Sequence, residues 1–416
     1  MVLTELLAPA GSYDILVVAI NAGADAVYIA GHRFGARAFA QNFTSEEIEK
    51  AVKYAHLNGS TIHVTVNTLF NTAEILDVLK YVQFLYRVGV DAVIVQDIGL
   101  VYLLNKFIPE MEIHASTQMT LRDYNSFLWA HDAGIKRIIL PREMEVDEIK
   151  RVSDRLKKDK VDLDLEVFGH GSLCYCISGD CYMSSFISGR SANRGACAQP
   201  CRWKYDLVRE NENGEYEEVI NGIDSSFFFN SKDLCMIEYI PQLIEAGITS
   251  FKIEGRMKTA YYVATTVRAY RMAIDAYYAD PENWKFNPIW LEELKKGSHR
   301  DYCTGFYFDR PDENAHNYES ASYIRNYDFV GIVRDYDAEN GLYIVEQRNK
   351  MFVKDKVEVI GPFKETTFAN ILEMYDEEGN PIESAPHARQ IVKLKLDIKV
   401  DKDYMLRKPI VKINTI

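Results

Sequence analysis

The chain has 416 residues, 47% hydrophobic and 26% charged, which suits a globular protein with a sizeable core: one large domain with a small one, or two to three ordinary ones. Its formal net charge of −13 excludes a general nucleic-acid coat but leaves room for a local basic site. No apolar run approaches a bilayer span, and the start MVLTELLAPAGSYD lacks a basic segment followed by an apolar one, so a cytoplasmic protein with no secretory leader and no membrane contact is expected.

Four segments repeat one pattern along the first part of the chain: NAGADAVYIA (21–30), RVGVDAVIVQ (87–96), DAGIKRIILP (132–141) and EAGITSFKIE (245–254). In each, a glycine suited to closing a helix is followed by a short polar gap and a β-rich run. Candidate strands fall at 3–8, 25–30, 61–67, 91–96, 112–118, 136–140, 162–168 and 249–254. One intervening helix is clear: Thr44 and Glu47 form a capping box, Ile48, Ala51, Val52 and Ala55 share an apolar face, and Gly59 ends it. Strand and helix in alternation over residues 1–280 predict a (β/α)8 barrel. An open doubly wound sheet is the alternative, weakened because no glycine-rich dinucleotide fingerprint follows the first strand.

Several strands carry a polar face: Thr61, His63, Thr65 and Asn67; Glu112, His114, Ser116 and Gln118; Asp162, Asp164 and Glu166; Ser250, Lys252 and Glu254. The outer face of a parallel barrel strand packs on helices and must be apolar, so these faces are expected inside. They are either a structural polar network or a site at the carboxyl ends of the strands, where barrel enzymes do their chemistry.

Five of the seven cysteines lie between Cys174 and Cys201, after the seventh candidate strand, in a Cys-rich insertion at 170–235. Four read Cys174-x6-Cys181-x15-Cys197-x3-Cys201. Clustered thiols in a cytoplasmic chain point to metal or redox chemistry, and the spacing does not separate zinc from an iron–sulfur cluster. Cys176, in Cys-Tyr-Cys, is a rival, although an extended chain sends the two thiols opposite ways. Cys235 is expected to open a helix as a core residue, and Cys303 to be structural. Residues 189–204 hold Arg190, Arg194, Arg202 and Lys204 and no acid, and Tyr175, Tyr182, Phe186 and Trp203 are near in sequence. Beyond this lies a connecting segment, 281–325, with Pro281, Pro288 and Pro311. From 326 to 416, short alternating strands with turns at Glu339-Asn340-Gly341 and Glu378-Gly379-Asn380-Pro381 predict a small, barrel-like all-β domain.

The stretches ELLAPAG (5–11), GADAVYIAG (23–31), HASTQMT (114–120), EVFGHGSLCYCISGDCYMSS (166–185), GACAQPCRWKY (195–205), NSKDLC (230–235) and FKIEGRMKTAYYVA (251–264) resemble peptidase family U32, the collagenase-like peptidases. The length and the tail resemble the branch that hydroxylates tRNA. The resemblance implies a (β/α)8 barrel and a [4Fe–4S] cluster on Cys174, Cys181, Cys197 and Cys201. It further implies 5-hydroxyuridine formation at the wobble position in the anticodon loop of tRNA, with prephenate as hydroxyl source, and a homologous U32 partner protein.

On that reading, Arg142, Arg194 and Arg256 are candidates for the carboxylates of the co-substrate, and His114, Glu166, His170, Lys252 and Glu254 for catalysis. Two alternatives stand beside it. One is a protease, for which Cys174 with His170 is the conceivable dyad. The other is a zinc-clipped RNA- or protein-binding module without catalysis.

Overall fold

The computed structural model describes residues 3–206, 208–218, 226–361 and 366–410. Eight parallel strands close into a barrel: β1 (Glu5–Pro9), β2 (Ala26–Ile29), β3 (Thr61–Val66), β4 (Ala92–Val95), β5 (Glu112–Ala115), β6 (Arg137–Ile139), β7 (Asp164–Ser172) and β8 (Ser250–Ile253). Closure comes from β8, which pairs with β1 (Glu5 opposite Ser250) and with β7 (Ser250 opposite Glu166). All the expected strands are present. The helix Ser45–Leu57 begins at the expected capping box, and Gly59 follows it at φ +75°. Its Ile48, Ala51, Val52 and Ala55 are buried against the barrel wall.

β7 is longer than the sequence suggests. Its upper half gains an antiparallel partner, Asp233–Cys235, with Asp233 opposite Ser172 and Cys235 opposite His170. Cys235 therefore sits on a strand and does not open a helix, because its backbone groups are taken by the β7 extension. It is buried, as a small core residue would be. The chain leaves the barrel after β7 and returns beside its own point of departure.

The segment 281–325 contains the helix Pro288–Lys296, capped by the Asn287 side chain on the Ile289 amide. It also contains the short strand Tyr302–Cys303, which pairs with Asp233–Cys235.

The tail is a second, antiparallel closed barrel: β9 (Tyr327–Asp337), β10 (Leu342–Gln347), β11 (Lys356–Ile360), β12 (Thr367–Tyr375), β13 (Ile391–Leu396) and β14 (Met405–Pro409), in the order β9-β10-β13-β12-β11-β14. It has its own core around Val330, Val345, Val357, Ile371 and Leu394. Tyr261 and Ala264, on the helix Ala260–Ala279, pack against Ile332, Ile360 and Met405 of this second barrel.

Candidate active site

The interior of the large barrel is polar in layers. At mid-depth the Lys252 ammonium lies 2.8 Å from Glu166 Oε1, and Arg137 Nη1 lies 3.3 Å from Glu166 Oε2. Arg137 also pairs with Glu5 and Asp164, and the Ser250 hydroxyl donates to Glu5 and Glu166. Burial works against a charged Glu166, but Lys252 and Arg137 overcome it and hold its pKa at about 2. Beside them His63 and His114 meet edge to face, centroids 4.8 Å apart, and His114 Nε2 lies 2.7 Å from Glu112. Burial, and then the neighbouring His63 and Arg137, push His114 well below its ordinary pKa, so it is neutral at pH 7.

One layer higher, at the carboxyl ends of the strands, is a cavity of about 330 Å³. Residues two positions beyond the sealed ones line it: Thr65 after His63, Ser116 after His114, Phe168 after Glu166. Lys252 forms part of its floor, with the ammonium 4.6 Å from the Tyr28 ring centroid. Glu254 lines the wall. His114 and Glu166, both fully buried, do not reach this cavity. His170 faces outward, among the rings of Tyr262, Tyr270 and Tyr302, and burial pushes its pKa down to about 3. The β7 extension fixes that orientation, so His170 and Cys174 do not form a dyad.

Cys174, Cys181, Cys197 and Cys201 all line the cavity, and so does Cys176. The chain bends at Tyr175 and Cys176, so the thiols of Cys174 and Cys176 face the same space instead of opposite sides. A hydrogen bond with Cys176 holds the Cys174 thiol below its ordinary range; burial opposes this, while Arg142 and Arg37 assist. Every cysteine in the chain is a free thiol.

The loop that carries these thiols is tied down by its own polar groups. Ser178 bonds Glu143 through its amide at 2.7 Å, the Cys181 amide donates to Asn193, and Arg202 donates to Asn230, Ser231 and Leu173. Arg190 donates to the carbonyls of Ala196 and Cys197. Much of the basic run thus holds the loop in place. Arg194 turns away from the cavity and pairs with Glu74 at 2.8 Å and with the Leu69 carbonyl, because the short helix Thr72–Glu74 lies beside it.

Two of the three arginines singled out in the sequence do line the cavity. Arg142 donates to the Ser172 carbonyl at 2.6 Å and lies 3.9 Å from the Phe168 ring centroid. Arg256, 4% exposed, donates through Nη1 to Thr65 at 3.1 Å; its Nη2 has no hydrogen-bond partner among the described residues. Burial draws its pKa down to about 10. Sequence reasoning missed Arg37, on the loop after β2, which lines the same wall 3.6 Å from Glu254. Its only signal was position, since that loop follows a barrel strand. Tyr175 and Tyr182, which line the cavity, and Phe186 and Trp203, on the same loop, are exposed, Phe186 at 85%, so none is a core residue.

Gly171 shows how closely the wall is built. It adopts φ +113°, and a Cβ there would meet the Glu254 carbonyl oxygen at 2.6 Å. Gly171→Ala is expected to cost about 1–3 kcal/mol and to displace Glu254. A urea titration checks the first effect, and a change in anion binding to the cavity checks the second.

Among the described residues no three His, Cys, Asp or Glu side chains converge tightly enough to hold one metal ion. The donor set itself, four thiols and a fifth lining one cavity, suits a soft acceptor bound by thiolates.

A (β/α)8 barrel with a thiol-lined cavity at its mouth, joined to a second β-barrel, defines the class. The chain belongs to peptidase family U32: that family's model matches residues 11–317 and the model of its C-terminal domain matches 325–407. It is 40% identical over 405 residues to tRNA hydroxylation protein P1 of Bacillus subtilis, covering 97% of this chain and 94% of that one. It is also 40% identical over 275 residues to a 23S rRNA 5-hydroxycytidine synthase of Escherichia coli, covering 65% of this chain and 39% of that one. A collagenase of Porphyromonas gingivalis is 31% identical over 369 residues, covering 86% of each.

Proposed function

We propose that this protein is an RNA-modifying enzyme: an iron–sulfur-dependent hydroxylase that forms 5-hydroxyuridine at the wobble position of tRNA, with prephenate as the hydroxyl source. The observation that carries the proposal is that Cys174, Cys181, Cys197 and Cys201 gather on one cavity with Lys252, Glu254, Arg142 and Arg256. Relatives named for hydroxylation of both tRNA and rRNA support an RNA substrate. The placement of His170 among outer tyrosine rings disfavours the Cys174–His170 dyad that the protease alternative relied on.

A [4Fe–4S] cluster on the four cysteines would supply one-electron chemistry to the cavity. The chain's own groups do the rest. Arg256, which lines the cavity and whose buried Nη2 has no partner among the described residues, binds a carboxylate of the co-substrate, with Arg142 also in the lining. Lys252 donates a hydrogen bond upward from the floor while Glu166 holds it from below. The exposed Tyr175, Tyr182, Phe186 and Trp203 offer faces on which unpaired anticodon bases stack.

Protein purified without air is expected to be brown and to contain iron and sulfide. Cys181→Ser and Cys201→Ser are expected to lose the visible absorption and to lower hydroxylation by about 100-fold or more. Mass analysis of tRNA from a deletion strain, complemented with each variant, checks the activity. A colourless zinc protein, or 5-hydroxyuridine at normal levels in a strain with no paralogue, would sink the proposal.

A further inference from the structure

A second recess adjoins the cavity. Leu69, Gln96, Asp97, Met119, Asp180 and Asn193 line it, and Asp180 lines the cavity as well, so occupants of the two are neighbours. Gln96 stands at the carboxyl end of β4 and is 7% exposed. Its Nε2 donates to Asp180 Oδ1 at 3.3 Å. A carboxylate accepts hydrogen bonds, so this contact fixes the amide with its nitrogen toward Asp180 and its oxygen free. That oxygen is buried and has no partner among the described residues. A buried acceptor left unpaired is costly, and a ligand N–H removes the cost.

We propose that this recess is a subsite for the base next to the target uridine, and that Gln96 reads an amino group on that base. The inference rests on the RNA reading above and extends it to sequence context. Beside the free Gln96 oxygen stand the carboxylates of Asp97 and Asp180, the former already capping the helix Ile98–Phe107 through the Leu100 amide, and the side-chain amides of Gln118 and Asn193. Like charge rejects a phosphate here. Uracil brings no exocyclic amine to the Gln96 oxygen, whereas adenine, cytosine and guanine each carry one. Half-exposed Leu69 and Met119 provide apolar cover for the base face. The recess thus selects RNAs by the neighbour of the modified base, while the cavity takes the base itself.

Anisotropy titrations of the full-length protein with single-stranded RNA oligonucleotides test this. Each neighbour of the target uridine is changed in turn from adenine to purine and from guanine to inosine, which deletes only the amine. Removing the amine on one side is expected to weaken binding about tenfold in the wild type and less than about twofold in Gln96→Met. Equal affinities in the wild type would mean that the recess holds water only and would overturn the subsite while leaving the RNA reading intact. No binding of any oligonucleotide would overturn both. Because the wild-type comparison decides by itself, the test survives a Gln96→Met variant that does not fold.

Discussion

Arg407→Ala is expected to lower the free energy of unfolding by about 3–5 kcal/mol and to loosen the small barrel from the large one. Arg407, on β14, is fully buried. Its guanidinium reaches Glu293 at 2.7 and 2.8 Å and Glu358 at 2.8 Å, and it donates to the Tyr261 hydroxyl at 3.4 Å. Tyr261 belongs to the helix Ala260–Ala279 of the large barrel and Glu293 to the helix Pro288–Lys296 of the connecting segment, so one side chain ties the small barrel to both. Lys296 bridges the same two glutamates at 2.8 and 3.0 Å. Removing Arg407 leaves both carboxylates buried with less positive charge than they need, and the apolar contact of Tyr261 with Phe329 does not replace it. Replacing a whole buried ion network by apolar groups is often neutral, but removing one member is not. Urea unfolding followed by far-ultraviolet circular dichroism measures the loss. Faster proteolysis between the barrels measures the loosening.

The second large effect lies beneath the cavity. Glu166→Gln is expected to cost about 3 kcal/mol at pH 7 and to flatten the acid side of the stability curve. In the folded chain Glu166 titrates at about 2, against an ordinary 4.5. A depressed carboxylate stabilises the fold fully above its unfolded value, and the contribution fades as pH falls through 4.5 toward 2. Of the wild type's gain, about 2 kcal/mol is gone at pH 3, a loss that the glutamine variant does not show. Chemical denaturation at pH 7, 4 and 3 compares the two. The same substitution frees Lys252 from its partner, so altered anion binding in the cavity is expected to accompany the loss.

Much of this architecture was legible from periodicity. Glycine-closed helices followed by β-rich runs gave the strands of the large barrel, and the Thr44–Glu47 box gave a helix start to the residue. Polar alternation correctly placed His63, His114, Glu166 and Lys252 inside. Depth was not legible, because alternation reports which face a residue takes and not how far along the barrel axis it sits. His114 and Thr65 look alike in sequence; one is sealed below the cavity and the other lines it. The orientation of His170 depends on a strand contributed from Asp233–Cys235, a long-range pairing that no local pattern announces. Arg194 was drawn off by Glu74, distant in sequence. Arg37 and Gln96 went unnoticed because each is a single polar residue beside a strand end, without a motif around it.

The antiparallel pairing of Asp233–Cys235 with the end of β7 has a consequence for the order of assembly. It brings the two ends of the cysteine-bearing excursion together whether or not its thiols hold anything, so the entropy of closing that long loop is met by the barrel itself. On the proposed reading, the barrel can therefore finish folding before any cluster is bound. Loss of a cluster would then unsettle a pocket wall while the barrel kept its shape.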